Sequence, residues 1–223
     1  MVFALYLSYQ DYIEHDGLIW RINTKKSGMH TKPFKRFLEQ LNAMFEAHSK
    51  VFAYRFDLSF PADSLRGIND HTQFEKFLTR FKKQIKNHYQ LSKIGYSWSG
   101  ETETSKNQHY HVVLMLNGHE VQSPKWLQSR ISRIWMDVGG STPTWVRFYR
   151  LERKELVNSH DVILMTEHRL KESGCVIGFV YHVSYLFKGR GKGYLQTGSH
   201  NYGHSRLRRK RQSSPKATTK NIT

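Results

Sequence analysis

The hydrophobic positions of this chain switch between two periods along its length, and the elements follow from the switches. Thr31 and Pro33 make a favourable helix entry, after which Phe34, Phe37, Leu38, Leu41, Met44 and Phe45 recur at helical spacing and predict an amphipathic helix covering a sheet. From Val51 to Phe60 the period is two. Phe52, Tyr54, Phe56, Leu58 and Phe60 share one face, Arg55 and Asp57 take the other, and Pro61 ends the strand. Thr72 and Glu75 have the spacing of a capping box, ahead of a second helix with Phe74, Phe77, Leu78, Phe81 and Ile85 as its buried stripe. The outer face of that helix carries Lys76, Arg80, Lys82, Lys83 and Lys86.

Trp98 to Asn117 reads as strand, turn, strand, and Ser123-Pro124 then opens a third helix with Leu127, Ile131, Ile134 and Trp135 inward and Gly139-Gly140 as its stop. Thr144 to Leu151 predicts a strand, and Cys175 to Phe187 a last apolar segment read as a helix. The first thirty residues say less: a short apolar start, an Asp16-Gly17 turn, and a Leu18 to Trp20 run compatible with a strand or a helix edge. This order predicts an α+β fold, one mainly antiparallel sheet flanked by helices. A length of 223 residues suits one domain over residues 1–206, whose first fifty residues form an extension without an assigned role. Residues 207–223 are expected to be a disordered basic tail: from Arg206 onward basic residues stand among Ser and Thr, with no acid and no apolar period.

Charge changes the picture. Lys and Arg number 35 against 18 Asp and Glu, a formal charge of +17, which calls for a polyanion as partner. Aromatic residues at 13% add flat surfaces on which bases stack. The single cysteine, Cys175, excludes an internal disulfide and a thiolate zinc cluster. With no basic region before the Val2 to Leu7 run and no cleavage site after it, the expectation is a cytoplasmic protein that does not enter a membrane.

The candidate chemistry sits in the strand pair. Side chains alternate faces along a strand, so His109 and His111 point the same way and two imidazoles share one face. In the preceding strand Ile94, Tyr96 and Trp98 have one parity and Ser97, Ser99, Glu101 and Glu103 the other. Packing the first set inward leaves a carboxylate on the polar face beside the histidines. Two imidazoles and a carboxylate are N and O ligands suited to Mg²⁺, Mn²⁺ or another divalent ion. On the last predicted helix Tyr181, Tyr185 and Lys188, four and three residues apart, fall on one face and offer a phenol and an ammonium together, before a Gly-rich basic loop from Lys188 to Tyr194.

His109-Tyr-His111 with a later Tyr185-x-x-Lys188 resembles the HUH endonuclease superfamily of rolling-circle initiators and relaxases. Arg55-Phe-Asp57-Leu58, Trp98-x-x-Glu101, the His-Tyr-His strand running to Asn117, Tyr185-Leu-Phe-Lys188 and Tyr202-Gly-His-Ser205-Arg206 are similar, in order, to the prophage and inovirus replication initiators that carry the YagK/YfjJ C-terminal domain. No motif in the first fifty residues contributes. The resemblance implies metal-dependent nicking and joining of single-stranded DNA at a replication origin through a 5′-phosphotyrosyl intermediate, with host helicase and polymerase as further partners and no small-molecule cofactor. It implies His109 and His111 as metal ligands with Glu101, or Glu103 of the same parity, as the third. Tyr185 is the implied nucleophile, Lys188 its activator, and Tyr181 a second tyrosine of the kind two-tyrosine initiators use. Arg55, Lys188, Arg190, Lys192 and Arg206 are expected to meet DNA, and Asp57 to orient a histidine from behind. The competing expectation is a nucleic-acid-binding regulator on the same fold with no catalysis.

Overall fold

The structure is a computed structural model and describes residues 7–24, 27–61, 71–103, 106–156, 166–190 and 200–207. Near the start lie four short strands, β1 (Leu7–Ser8), β2 (Tyr12–His15), β3 (Leu18–Arg21) and β4 (Met29–His30), paired as β1 with β4 and β2 with β3. Asp16 and Gly17, both at positive φ, make the β2–β3 turn, and the Leu18 run is a strand. Then come α1 (Thr31–Ala47), β5 (Lys50–Ser59), α2 (Thr72–Tyr89), β6 (Gly95–Glu103), β7 (Lys106–Asn117), α3 (Lys125–Asp137) and β8 (Thr144–Glu152). A short α4 (Glu167–Glu172), α5 (Val176–Ser184), a 3-10 turn (Tyr185–Phe187) and β9 (Tyr202–His204) complete the described elements.

The five long-range strands form one antiparallel sheet in the order β8-β5-β7-β6-β9, flanked by helices, which is the expected α+β class. One face carries Phe52, Tyr54, Phe56 and Leu58 of β5, Trp98 of β6 and Tyr110, Val112, Leu114 and Leu116 of β7, and packs against α2 and α3. The buried stripes of both helices are the apolar sets read from the sequence, with Leu78 partly buried. Thr72 is the first residue of α2 and His71 holds the capping position, so the capping box is displaced by one residue.

The opposite face is polar only at one end. Val51, Ala53, Val113, Met115, Tyr149 and Leu151 make its near end apolar and pack against α1 and α5. Its far end carries Arg55, Asp57, Ser97, Ser99, Glu101 and His111, polar yet mostly buried. Helices thus cover both faces of the sheet, and the second layer closes over the polar end as well as the apolar one. Among the described residues no helix is long and apolar enough to cross a membrane.

A second difference concerns the last helix. The α-helix stops at Ser184 and the chain tightens into the 3-10 turn, where residues three apart eclipse. Tyr185 and Lys188 therefore stay together while Tyr181, one α-turn earlier, points elsewhere. Lys188 leaves the turn in extended conformation and bridges Met29 of β4, and Gly189 N–H donates to the Gly28 carbonyl at 2.9 Å. The amino-terminal strands, silent in the sequence, clamp the end of the last helix.

A Cβ placed on Gly189 would lie 2.6 Å from the Ser27 carbonyl oxygen, a backbone atom that cannot swing away. Gly189→Ala is expected to cost about 1–3 kcal/mol of stability, as overpacking at a tight contact does. Urea unfolding measures it, and an unchanged midpoint would mean that the clamp does not form.

Candidate metal centre

Register assembles the site from three neighbouring strands. Across β5 and β7, Asp57 faces His111 and Ser59 faces His109; across β6 and β7, Glu101 faces His109 and Ser99 faces His111. Asp57, His111, Glu101 and His109 consequently lie on one face, the one under α5 and the 3-10 turn. Glu101 Oε2 is 3.5 Å from Nε2 of His109 and 3.5 Å from Nε2 of His111, and the ligand atoms of the three residues all lie within 4.8 Å of one another. Two donors each about 2.1 Å from a shared ion stand roughly 3 to 3.5 Å apart, so the spacing fits a metal. The group is an N, N, O set that could hold a divalent ion. Glu101 is 1% exposed and His109 is half-buried, so the set opens toward solvent on the His109 side.

Asp57 supports this set from behind. Its Oδ1 lies 2.8 Å from His111 Nδ1, on the side of the ring away from Glu101, which leaves Nε2 to face the other ligands. Burial disfavours the His111 imidazolium, but the two carboxylates, Asp57 and Glu101, outweigh it and raise the pKa. Arg55, expected to meet DNA, turns to the cover of the site: its Nη1 donates to the His182 carbonyl at 2.9 Å and its guanidinium lies 5.5 Å from the Tyr185 ring centre.

Lys188 joins the set to the phenol. Its Nζ is 3.2 Å from Glu101 Oε2 and donates to the Tyr185 hydroxyl at 2.7 Å, and it is only 5% exposed. The Tyr185 ring also stands edge-on to His111, with centroids 6.0 Å apart. Five of the residues named from the sequence, Glu101, His109, His111, Tyr185 and Lys188, thus converge, with Asp57 and Arg55 in the next ring of contacts.

Tyr181 does not join them. It is buried, and its pKa is pushed up to about 12 by that burial and by the Glu167 carboxylate to which its hydroxyl donates, with Arg21 and Asp11 nearby. Glu103 ends β6 past a register shift, and its side chain lies outside the described residues, as do Lys192 and residues 208–223 of the expected tail. Arg190 and Arg206 are described and exposed. Ser205 ties the chain end to α1, donating to Gln40 Oε1 at 2.6 Å and accepting from Tyr96 N–H.

Sequence reasoning missed the β4 clamp on Lys188 and the tyrosine above it: Tyr202 sits close to the Lys188 carbonyl, its pKa raised by burial and by the Glu101 charge. Tyr202 lay inside a motif, so its proximity was available; Met29 carried no signal at all.

A model of the YagK/YfjJ C-terminal domain matches residues 18–205, most of the chain. The chain belongs to that family. The match begins at Leu18 and so includes the β3, β4 and α1 region in which no motif had been found. No curated protein and no solved structure matches the chain.

Direct metal binding checks the centre. Mn²⁺ titrated into the protein is expected to bind at one site, and Glu101→Gln or His111→Ala to abolish it at the same concentrations. Asp57→Asn is expected to weaken it by roughly 10–100-fold, the usual cost of losing a carboxylate behind a ligating histidine. Equal affinity in Asp57→Asn and the unaltered protein would remove Asp57 from the site.

Proposed function

We propose that this protein nicks and rejoins single-stranded DNA, using Tyr185 as nucleophile and a divalent ion held by Glu101, His109 and His111. The observation that carries the reading is the Lys188 ammonium, 2.7 Å from the Tyr185 oxygen and 3.2 Å from Glu101, because it sets a phenol next to an N, N, O ligand set. A Mg²⁺ or Mn²⁺ ion in that set would draw charge from a non-bridging phosphate oxygen and hold the phosphate for in-line attack.

The side chains do the rest. A phenol titrates near 10 in water and attacks slowly until its anion is stabilised. Lys188 donates to that oxygen, and the Arg55 guanidinium lies 5.5 Å from the centre of the same ring, so two cations stand beside the attacking group. Asp57 keeps the His111 ring from turning. The phenolate oxygen bonds to phosphorus as the bond from phosphorus to the 3′ oxygen breaks. The products are a 5′-phosphotyrosyl link and a free 3′-hydroxyl, which takes up the proton that the phenol gave up. Attack of a 3′-hydroxyl on the link reverses the step, so joining needs no nucleotide cofactor.

The family resemblance and the basic composition extend the reading to initiation of rolling-circle replication on a phage or prophage element. Arg190 and Arg206 are exposed, and in this reading they meet the backbone of the bound strand. Tyr181, raised to about 12 and hydrogen-bonded to a carboxylate, is a poor candidate for the attacking group.

Random-sequence single-stranded DNA labelled at its 3′ end, incubated with the protein and Mn²⁺, provides the test. A labelled adduct resistant to denaturing gel electrophoresis is expected for the unaltered protein and for Tyr181→Phe. It should be absent in Tyr185→Phe and in EDTA, and to form on the order of a hundredfold more slowly in Lys188→Ala. Adducts that survive Tyr185→Phe but not Tyr181→Phe would move the nucleophile. DNA binding with no adduct under any divalent metal would favour a regulator without catalysis.

A further inference from the structure

Among the described residues the large exposed apolar side chains include Trp145, Val146 and Phe148, all on β8 at the edge of the sheet. Alternation would put Trp145 and Phe148 on opposite faces. The pairing with β5 shifts between Arg55 and Phe56, so Arg55 faces Arg147 while Phe56 faces Trp145, and Val146 is the extra residue of a bulge. The bulge returns both rings to the α3 side of the sheet.

Each ring lies nearly parallel to a buried ring of β5. Phe148 stacks on Phe52 with centroids 5.9 Å apart and planes 14° apart, and Trp145 on Tyr54 at 6.1 Å and 21°. The inner rings are fixed: Phe52 and Tyr54 are at most 1% exposed, and Gln128 of α3 donates to the Tyr54 hydroxyl at 2.9 Å. No strand pairs beyond β8 among the described residues, so the next position in each stack is open on the outer side.

The unpaired charges of α3 and β8 are of one sign. Asp137 and Glu152 are the acids of α3 and β8; Asp137 is paired with Arg80, and Glu152 with Lys50 and Lys154. Arg150, which follows Phe148 on the same face, and Lys125, one turn before Gln128, are exposed and have no carboxylate partner among the described residues; one Arg150 nitrogen, Nη2, donates to the Gln122 carbonyl at 2.9 Å. A cleft lined by Lys50, Phe52, Gln122, Arg150 and the paired Glu152 continues the stripe along the strand.

From these stacks and charges we infer that the β8 edge is a stacking platform for single-stranded nucleic acid: one base lies on Trp145, another on Phe148, and Arg150 and Lys125 take the phosphates. Aromatic faces beside cations are the general means of holding a single strand without reading its sequence. Thr144, at the start of β8, pairs with Asp57, so the platform begins one strand away from the metal centre on the other face of the sheet. A strand leaving the centre around this edge reaches it. The inference rests on the reading of single-stranded DNA as substrate, and its test is separable from that of nicking.

Fluorescence anisotropy of a labelled oligothymidylate in EDTA measures binding without chemistry. Trp145→Ala and Phe148→Ala are each expected to weaken binding about tenfold, from the typical contribution of one stacked base. Because the rings also cover Tyr54 and Phe52, Trp145→Leu and Phe148→Leu, which keep apolar cover but offer no flat face, are expected to lose the same affinity with an unchanged melting temperature. Trp145→Phe and Phe148→Tyr are expected to bind as the unaltered protein does. An abasic oligomer should bind the unaltered and Leu variants alike, and Arg150→Ala should reduce the salt slope by about one where the ring variants leave it unchanged.

Leu variants that bind oligothymidylate with unaltered affinity would overturn the platform. So would a dimer seen in sedimentation that Phe148→Leu dissociates while DNA affinity holds, since β8 would then pair with a second copy. Ring-dependent binding in a protein that forms no adduct sustains the platform and defeats nicking; adducts with ring-independent binding do the reverse.

Discussion

One ammonium holds the centre of this protein together. Lys188, almost fully buried, touches the Tyr185 hydroxyl and the Glu101 carboxylate at once, and a buried charge persists only when it is paired and hydrogen-bonded. Much else in the fold serves that contact. The 3-10 turn ending the last helix eclipses Tyr185 with Lys188, β4 clamps the chain just after it, and the strand register places Glu101 under the ammonium and between the histidines. Removing the lysine would leave a carboxylate buried at 1% exposure without its cation and a phenol without its donor.

The covering of both sheet faces gives this contact its strength. An N, N, O set on an open face would be solvated, and the pull of Lys188 and Arg55 on the phenol would be screened. Here α1, α5 and the 3-10 turn exclude water from most of the set, leaving an approach on the His109 side. The same layering explains why Asp57 fixes His111 and not His109: the β5 register sets Asp57 opposite His111, while Ser59 stands opposite His109.

Much of this was legible in the residues. The period-two run gave β5, the period-3.6 stripes gave α1, α2 and α3, and the parity of Glu101, His109 and His111 gave a shared face. Three things were not legible. Strand parity separates a polar side of β5 and β6 from an apolar one but does not say what covers it, and Ser97, Ser99 and Glu101 are buried. Helical spacing joined Tyr181 to Tyr185 and Lys188, because the change from α to 3-10 winding at Ser184 leaves the apolar pattern unbroken. The clamp by Met29 and Gly28 is a backbone pairing between segments far apart in the chain, and backbone pairing of two-residue strands has no side-chain signature.

The central claim is that the phenol and the metal ligands form one site. Pulsed electron paramagnetic resonance of bound Mn²⁺, in protein carrying ¹⁵N-imidazole histidine and ring-deuterated tyrosine, tests it without any substrate. The account predicts couplings to two histidine nitrogens and, in a Tyr202→Phe background, a weak deuterium coupling from a ring standing 6.0 Å from His111, which disappears in Tyr185→Phe. Histidine couplings with no deuterium signal, or a deuterium signal that outlives Tyr185→Phe, would contradict it.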